Sequence, residues 1–352
     1  MAQLKSILRI VGLMLLGLLV CGMAIWGALA LHYSELHSAL RNTLAAGFAL
    51  SALLVLVAFG TGRWRWRAFG AFAILSAVLL TWWRHIEPSN DRDWKPEAAV
   101  LPYVTFNDDE FTVHNIRNFS YRTETDFTPA YYDRTFNVRE LESLDVIASY
   151  WAGPDIAHIF LSFGFRADEH FAISIERRDE RGEGYSTVKG LFRQYELMYV
   201  VADERDVIRL RTNVRRDPSE DVYLFPLHGR VENARRLLLE YLRKINELHE
   251  RPEFYNTLTT NCTSNIWLHA RVNPGRAPYS WKILLSGHVP EYLYELGRLD
   301  TRLPFAELKR RSQINAAARA ADDAEDFSTR IRLGLPEVSD PRPHPAHSNS
   351  AI

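Results

Sequence analysis

Residues 10–34 contain no Asp, Glu, Lys or Arg, and a second uncharged stretch covers residues 42–62. Each is long enough to cross about 30 Å of hydrocarbon as an α-helix, and only a membrane or a large core hides so much apolar side chain. A third stretch, residues 68–83, is short for a span, but Trp82 and Trp83 at its end read as an interfacial aromatic pair. Lys5 and Arg9 precede the first stretch, Arg41 alone is basic in the next loop, and Arg63, Arg65 and Arg67 separate the second from the third. This asymmetry puts the amino terminus and the Arg-Trp loop in the cytoplasm. Three crossings then place everything after residue 88 outside the inner membrane, in the periplasm, whereas two would leave it in the cytoplasm. The expectation adopted is three. The run Arg63-Trp64-Arg65-Trp66-Arg67 could be a nucleic-acid or lipid motif, but between two spans it reads as a topological anchor. Cys21 stands where a lipoprotein signal would carry its acylated cysteine. Val20 before it and the uncharged residues after it speak against cleavage.

Past the membrane segment the chain reads as ordinary soluble protein. Of its 352 residues 42 are basic and 43 acidic, a balance that predicts no nucleic-acid partner. Two cysteines exclude a disulfide scaffold, and the distance along the chain from Cys21 leaves Cys262 as a free thiol. The expected division is a membrane domain over 1–88, an extended proline-containing linker over 89–102, one domain over 103–335 and a disordered, proline-broken tail over 336–352. His344 and His347 in that tail could pair on a metal, but disordered tails often carry stray histidines, and neither a metal nor a cofactor is expected.

Strand-like runs dominate the first part of the soluble domain, at 111–119, 144–149, 157–163, 171–175, 196–201, 207–211 and 222–226. Residues 231–248 follow a helical period, with Leu237, Leu238, Tyr241, Leu242, Ile245 and Leu248 on one stripe. A second helix is expected after Cys262. The fold class is α+β, a mainly antiparallel sheet with helices segregated against it. The acidic run 203–206 reads as a solvated turn, residues 182–184 as a flexible loop, and Tyr185, Tyr195 and Tyr199 as either groove or core.

The chain has no nucleophile elbow, P-loop, dinucleotide glycine fingerprint or zinc-type HExxH. Cys262 is the remaining candidate for covalent chemistry. It sits where a polar stretch turns helical, with Thr260 or Asn261 able to cap the helix. Free N–H groups at that helix terminus, with Asn261 and Thr263 flanking the sulfur, would stabilise a thiolate and hold a developing oxyanion. The alternative is a buried, inert cysteine behaving as a small hydrophobe. A nucleophilic thiol needs a base, and His158 lies on an alternating strand with Phe160 and Ser162 on its face. A symmetric hairpin closing through residues 164–170 pairs 163 with 171 and therefore 158 with 176, which sets Glu176 across from His158 as the acid of a Cys-His-acid arrangement. A one-residue slip would instead bring Ile175 opposite. His170 is the rival third group, but that register leaves it roughly 20 Å from His158 at about 3.4 Å per residue.

Four stretches resemble a known family. AHIFLSFGF around His158, AISIERRDERGEGYS around Glu176, GLFRQYELMYVVADERDVIRLRTN, and FYNTLTTNCTSN around Cys262, with the later IRLGLP, are similar to the periplasmic domain named after the bacterial lipoprotein N-acyltransferase Lnb. The resemblance implies a circularly permuted papain-like fold in which histidine precedes cysteine, with the nucleophile on Cys262 and the base on His158; Glu176 remains an inference from the hairpin. It also implies acyl transfer from a phospholipid to the amino-terminal cysteine of a lipoprotein. Here the membrane helices precede the domain, whereas the family's name implies an amino-terminal periplasmic domain. The leading expectation is thus a membrane-anchored periplasmic cysteine acyltransferase or hydrolase. The alternatives are a peptidase or amidase acting on peptidoglycan peptides, and a noncatalytic envelope scaffold.

Overall fold

The computed structural model describes residues 2–336, apart from residues 185, 276 and 323, and divides into two units. The expected disordered tail lies outside the described residues, except for Pro336, and so do His344 and His347.

The first unit comprises residues up to 89 together with 185–195. Its helices α1 (Ala2–His32), α2 (Ser38–Thr61) and α3 (Arg65–Arg84) are each long and apolar enough to cross a membrane. The short third stretch reaches spanning length because the helix recruits Arg65 and Arg67 at one end and Arg84 at the other. Outward residues such as Leu15, Leu18 and Leu19 are exposed, as a lipid-facing surface requires, while Val20, Phe48, Ala52, Val55 and Phe72 pack inward. Gly27 permits the closest approach: a Cβ there would lie 2.3 Å from the Phe48 ring and 2.8 Å from Leu79. Segment 185–195 closes one end of this unit. Phe192 stacks on Tyr33 at 5.6 Å, and the Arg193 guanidinium lies 4.0 Å from the Trp83 ring centroid. Arg193 also donates to the carbonyls of Trp83 (2.8 Å) and Ile86 (3.0 Å), so a side chain from far along the sequence meets the bare acceptors at the end of α3.

The second unit, residues 90–184 and from 196 onward, is α+β. Its strands are β1 (Tyr103–Asn107), β2 (Glu110–Arg117), β3 (Ser120–Tyr121), β4 (Phe127–Thr128), β5 (Tyr131–Asn137), β6 (Leu141–Tyr150), β7 (Ala157–Phe165), β8 (Glu169–Arg178), β9 (Glu196–Ala202) and β10 (Asp221–Pro226). The main sheet runs β1-β2-β9-β8-β7-β6-β10 with β5 on the free side of β2, antiparallel throughout except where β2 meets β9. β3 and β4 form a separate hairpin. Helices are α4 (Glu204–Arg209), α5 (Val231–Glu250), α6 (Cys262–Ala270), α7 (Trp281–Leu284), α8 (Val289–Glu295), α9 (Phe305–Arg311), α10 (Asn315–Ala321) and α11 (Phe327–Arg330).

The helices are not confined to one face. One core joins Ile159, Leu161, Phe163, Ile173 and Tyr199 to the expected stripe of α5, with Cys262 and Ile266 of α6 packed against it. The other joins Phe160, Ala172, Met198 and Val200 to Val207 and Ile208 of α4, Ala318 of α10 and Phe327 of α11. The central strands are apolar on both faces, and such strands must be covered on both.

Three other expectations give way. Residues 207–211 are not a strand: α4 runs into a wider π-helical turn at Leu210–Val214. Asp203 caps α4 by accepting from the Arg205 N–H at 2.9 Å, and Val207 and Ile208 on the helix are both fully buried. Nor is 203–206 a solvated turn. Glu204 and Asp206 are fully buried, Asp206 against Arg117 (2.8 Å) and Glu204 against Arg332 (2.7 Å), with Asp145 on the same guanidinium (2.7 Å). Finally, the stretch read as an extended linker is docked on the domain. Asn90 donates to the carbonyls of Leu248 and His249, Trp94 is buried beneath Arg178, and Arg178 donates to the carbonyls of Ala98 and Ala99.

Removing Arg332 leaves two carboxylates buried without their cation, so Arg332→Met should destabilise the protein by about 3–5 kcal/mol. Exposed Arg330→Met should stay within about 0.5 kcal/mol. Denaturant unfolding of the full chain in detergent, followed by tryptophan emission, checks both.

Candidate active site

Cys262 is the first residue of α6, and Asn261 is its cap. The Asn261 side chain accepts from the Ser264 N–H (2.9 Å), while Ser264 Oγ accepts from the Asn261 N–H (2.9 Å). Asn261 Nδ2 donates to the Thr257 carbonyl at 2.7 Å, and Thr263 Oγ1 donates to the Ile283 carbonyl at 2.6 Å. The side chains of Asn261 and Thr263 are therefore committed to holding the helix start. The donors left around the sulfur are backbone N–H groups, those of Cys262, Thr263 and Ile159.

Ile159 brings β7 into the site. The hairpin of β7 and β8 has Phe163 opposite Phe171, but the strands pair only from Leu161↔Ile173 to Phe165↔Glu169. Beyond that point β7 stays bonded to β6 as far as Ala157, and β8 to β9 as far as Arg178. The sheet thus opens into a seam between 157–160 and 174–178. His158 and Glu176 stand on its two sides, with His158 Nε2 3.6 Å from Glu176 Oε1. Ser174 links them: His158 Nε2 is 2.6 Å from Ser174 Oγ, which donates to Glu176 Oε1 at 2.8 Å. Because the serine proton is spent on the carboxylate, Nε2 must be the protonated nitrogen, and Nδ1 carries the lone pair. His158 stacks on Phe160, on one face of β7, and Cys262 packs against the core of the other face.

The start of β7 is clamped as well. Ala157 N–H donates to Ser286 Oγ (3.0 Å), Gly287 N–H to the Asp155 carbonyl (2.9 Å), and Tyr150 OH to the Gly287 carbonyl (2.6 Å). Only glycine fits at 287, since a Cβ would lie 2.1 Å from the Pro154 carbonyl oxygen. Behind Glu176, Arg211 donates to Oε1 at 3.1 Å and is itself buried, with its guanidinium over Phe160.

These surroundings set the charges. Burial alone would raise the Glu176 pKa, but Arg211, His158 and Arg117 outweigh it and hold the carboxyl well below its usual range. Burial and then the Arg211 charge push His158 down to about 4, against which Glu176 pulls only part of the way back. Burial also raises the Cys262 thiol, more than the three N–H groups lower it. The resting pair is thus a neutral thiol and a neutral imidazole, not the stabilised thiolate that the helix terminus suggested from sequence.

Ser174 and Arg211 escaped the sequence reading. Ser174 had a signal, being two residues from Glu176 and so on the same face of β8; Arg211 had none, because it was assigned to a strand. His170 lies at the far end of the hairpin, paired with Gly164, and donates to or accepts from nothing at the seam, its Nδ1 being 2.9 Å from the Asp168 carbonyl.

Residues 127–287 match the family model of the Lnb N-terminal periplasmic domain. Over this stretch the chain is similar to that domain. The stretch takes in His158, Ser174, Glu176, Arg211 and Cys262 and stops short of Arg332. Comparison with curated proteins and with solved structures gave no match. The match to a periplasmic domain family, together with three apolar helices of spanning length, fits an inner-membrane protein with a periplasmic domain.

An imidazole whose folded pKa lies below its unfolded value binds fewer protons when folded, so its contribution destabilises the fold as pH falls from about 6.5 towards 4. In carbon-13 NMR of histidine-labelled protein, His158 should titrate near 4. In Arg211→Met it should titrate higher, since the cation that opposes its protonation is gone. Alkylation of Cys262 in a Cys21→Ser background should keep accelerating above the ordinary thiol range, with no plateau on the acid side of neutrality.

Proposed function

We propose that the periplasmic domain is a cysteine acyltransferase that forms a thioester on Cys262 and passes the acyl group from a phospholipid to a lipoprotein amine. The observation that carries this reading is the seam itself: a thiol on a capped helix terminus, ringed by backbone N–H groups, beside the strand residue that follows an oriented histidine. In the order His158 before Cys262 the chain also follows the permuted papain-like pattern implied by the family.

The residues divide the work in a way that balances. Glu176, held ionised by Arg211, orients Ser174, and Ser174 fixes His158 with its proton on Nε2. Nδ1 accepts the Cys262 proton as the sulfur attacks the acyl carbonyl, and the N–H groups at the helix start receive the developing oxyanion. Collapse of the tetrahedral intermediate breaks the ester bond, and the proton on Nδ1 leaves with the lysophospholipid alcohol. An incoming amine attacks the thioester, loses its proton through the same nitrogen and restores the thiol. Starting from a neutral pair, proton transfer accompanies attack, so the thiol reacts when a substrate is in place.

Intact-protein mass spectrometry of the full chain purified with native phospholipid tests the reading. A fatty-acyl adduct that hydroxylamine removes should appear in the parent protein, be absent from Cys262→Ser and fall roughly 100-fold or more in His158→Ala. Cys262-dependent cleavage of a peptide amide without any lipid-derived adduct would point to a peptide hydrolase instead. Neither adduct nor cleavage would leave a noncatalytic scaffold.

A further inference from the structure

The periplasmic domain hides its large apolar side chains well, with one exception. Leu268, Val272, Tyr279, Trp281, Leu284 and Leu285 are all exposed, Trp281 and Tyr279 to 56% and Leu268 to 51%. Outside residues 258–285, the exposed large apolar side chains among the described residues of this unit are Val100, Tyr103, Phe106 and Leu333. The exposed cluster therefore belongs to one short segment of chain, α6, α7 and the loop between them. That segment is held together: Thr263 Oγ1 donates to the Ile283 carbonyl, Trp267 Nε1 donates to the Ala277 carbonyl (2.9 Å), and the Trp267 and Tyr279 rings meet edge to face at 5.3 Å. Its apolar side chains are presented by fixed backbone.

We propose that this face seats in the headgroup region of a phospholipid bilayer. Three observations favour lipid over a protein partner. The chain is already anchored in a membrane by α1–α3, so lipid is the partner always at hand. Trp and Tyr beside Leu and Val, with no acidic residue from 264 to 290, is the composition of an interfacial belt, where rings bury their apolar bodies and keep their polar edges wet. Arg271, exposed and 5.3 Å from the Trp267 ring centroid, has no carboxylate partner among the described residues and is free for lipid phosphate. Lys282 lies near Trp281 but is tied to Glu291 and Glu295. The element seated in the interface is the one that begins with Cys262. The seating itself does not depend on the acyltransferase reading.

Site-directed spin labelling tests it in the full chain. Nitroxides are placed one at a time at Leu268→Cys and Leu284→Cys in a Cys21→Ser, Cys262→Ser background, in nanodiscs of phosphatidylethanolamine and phosphatidylglycerol, with Arg243→Cys on the exposed side of α5 as reference. The ratio of collision with oxygen, which concentrates in the bilayer, to collision with a water-soluble nickel chelate should be several-fold higher at 268 and 284 than at 243. Labels at 268 and 284 that behave like the reference overturn the proposal. Labels shielded from both reagents overturn it too, because they mean that protein, such as a second copy of the chain, covers the face. Since the nucleophile is absent throughout, failure here leaves the thioester experiment untouched, and the reverse also holds.

Discussion

Three arginines shielded from water organise one whole face of the periplasmic sheet. Arg117 holds Asp206, Arg332 holds Glu204 and Asp145, and Arg211 holds Glu176. The first two pairs fasten α4 to the sheet through acids in its first turn, and Arg211 extends from the turn that follows α4 to the carboxylate at the seam. Burying so many charges is weak ground for stability, since well-packed apolar groups could replace them at no loss. It is good ground for geometry, because each guanidinium fixes its partners in direction as well as distance. The orientation of His158 is the last link in that chain, through Glu176 and Ser174.

The sequence was legible where a single periodicity governed the outcome. The α5 stripe, the strands from β6 to β9 and the α6 start after Asn261 all follow from patterns of two or 3.6 residues with a capping signal. So did the hairpin register, because Phe163 and Phe171 both had to face one core. It was illegible where charges were buried. Asp203, Glu204, Arg205 and Asp206 look like a wet turn because local sequence does not announce that Arg117 reaches Asp206 from 89 residues away and Arg332 reaches Glu204 from 128. The same blindness hid Arg211 and made residues 89–102 look like a linker, although Asn90 and Trp94 are fastened to side chains and carbonyls near residues 178 and 248. The candidate residues Cys262, His158 and Glu176 were visible as types on faces; Ser174, which joins two of them, required knowing that the strands part.

That parting explains how a sheet can offer chemistry at its middle. Paired strands satisfy every N–H and C=O and leave nothing for a ligand. Where β7 and β8 separate, the Ile159 N–H is released to a sulfur, and a serine can lie between histidine and carboxylate instead of a ladder bond. A thiol kept neutral in such a place also reacts slowly with oxidants, which suits a compartment that oxidises exposed thiolates.

The membrane unit draws its last piece, residues 185–195, from between two strands of the periplasmic sheet. During synthesis α1, α2 and α3 are complete long before that piece exists, and until it has crossed the membrane the end of α3 lacks the arginine that meets its carbonyls. The three helices share a core without that piece, so what waits for export of the domain is the closing of one end of the unit by Phe192 and Arg193.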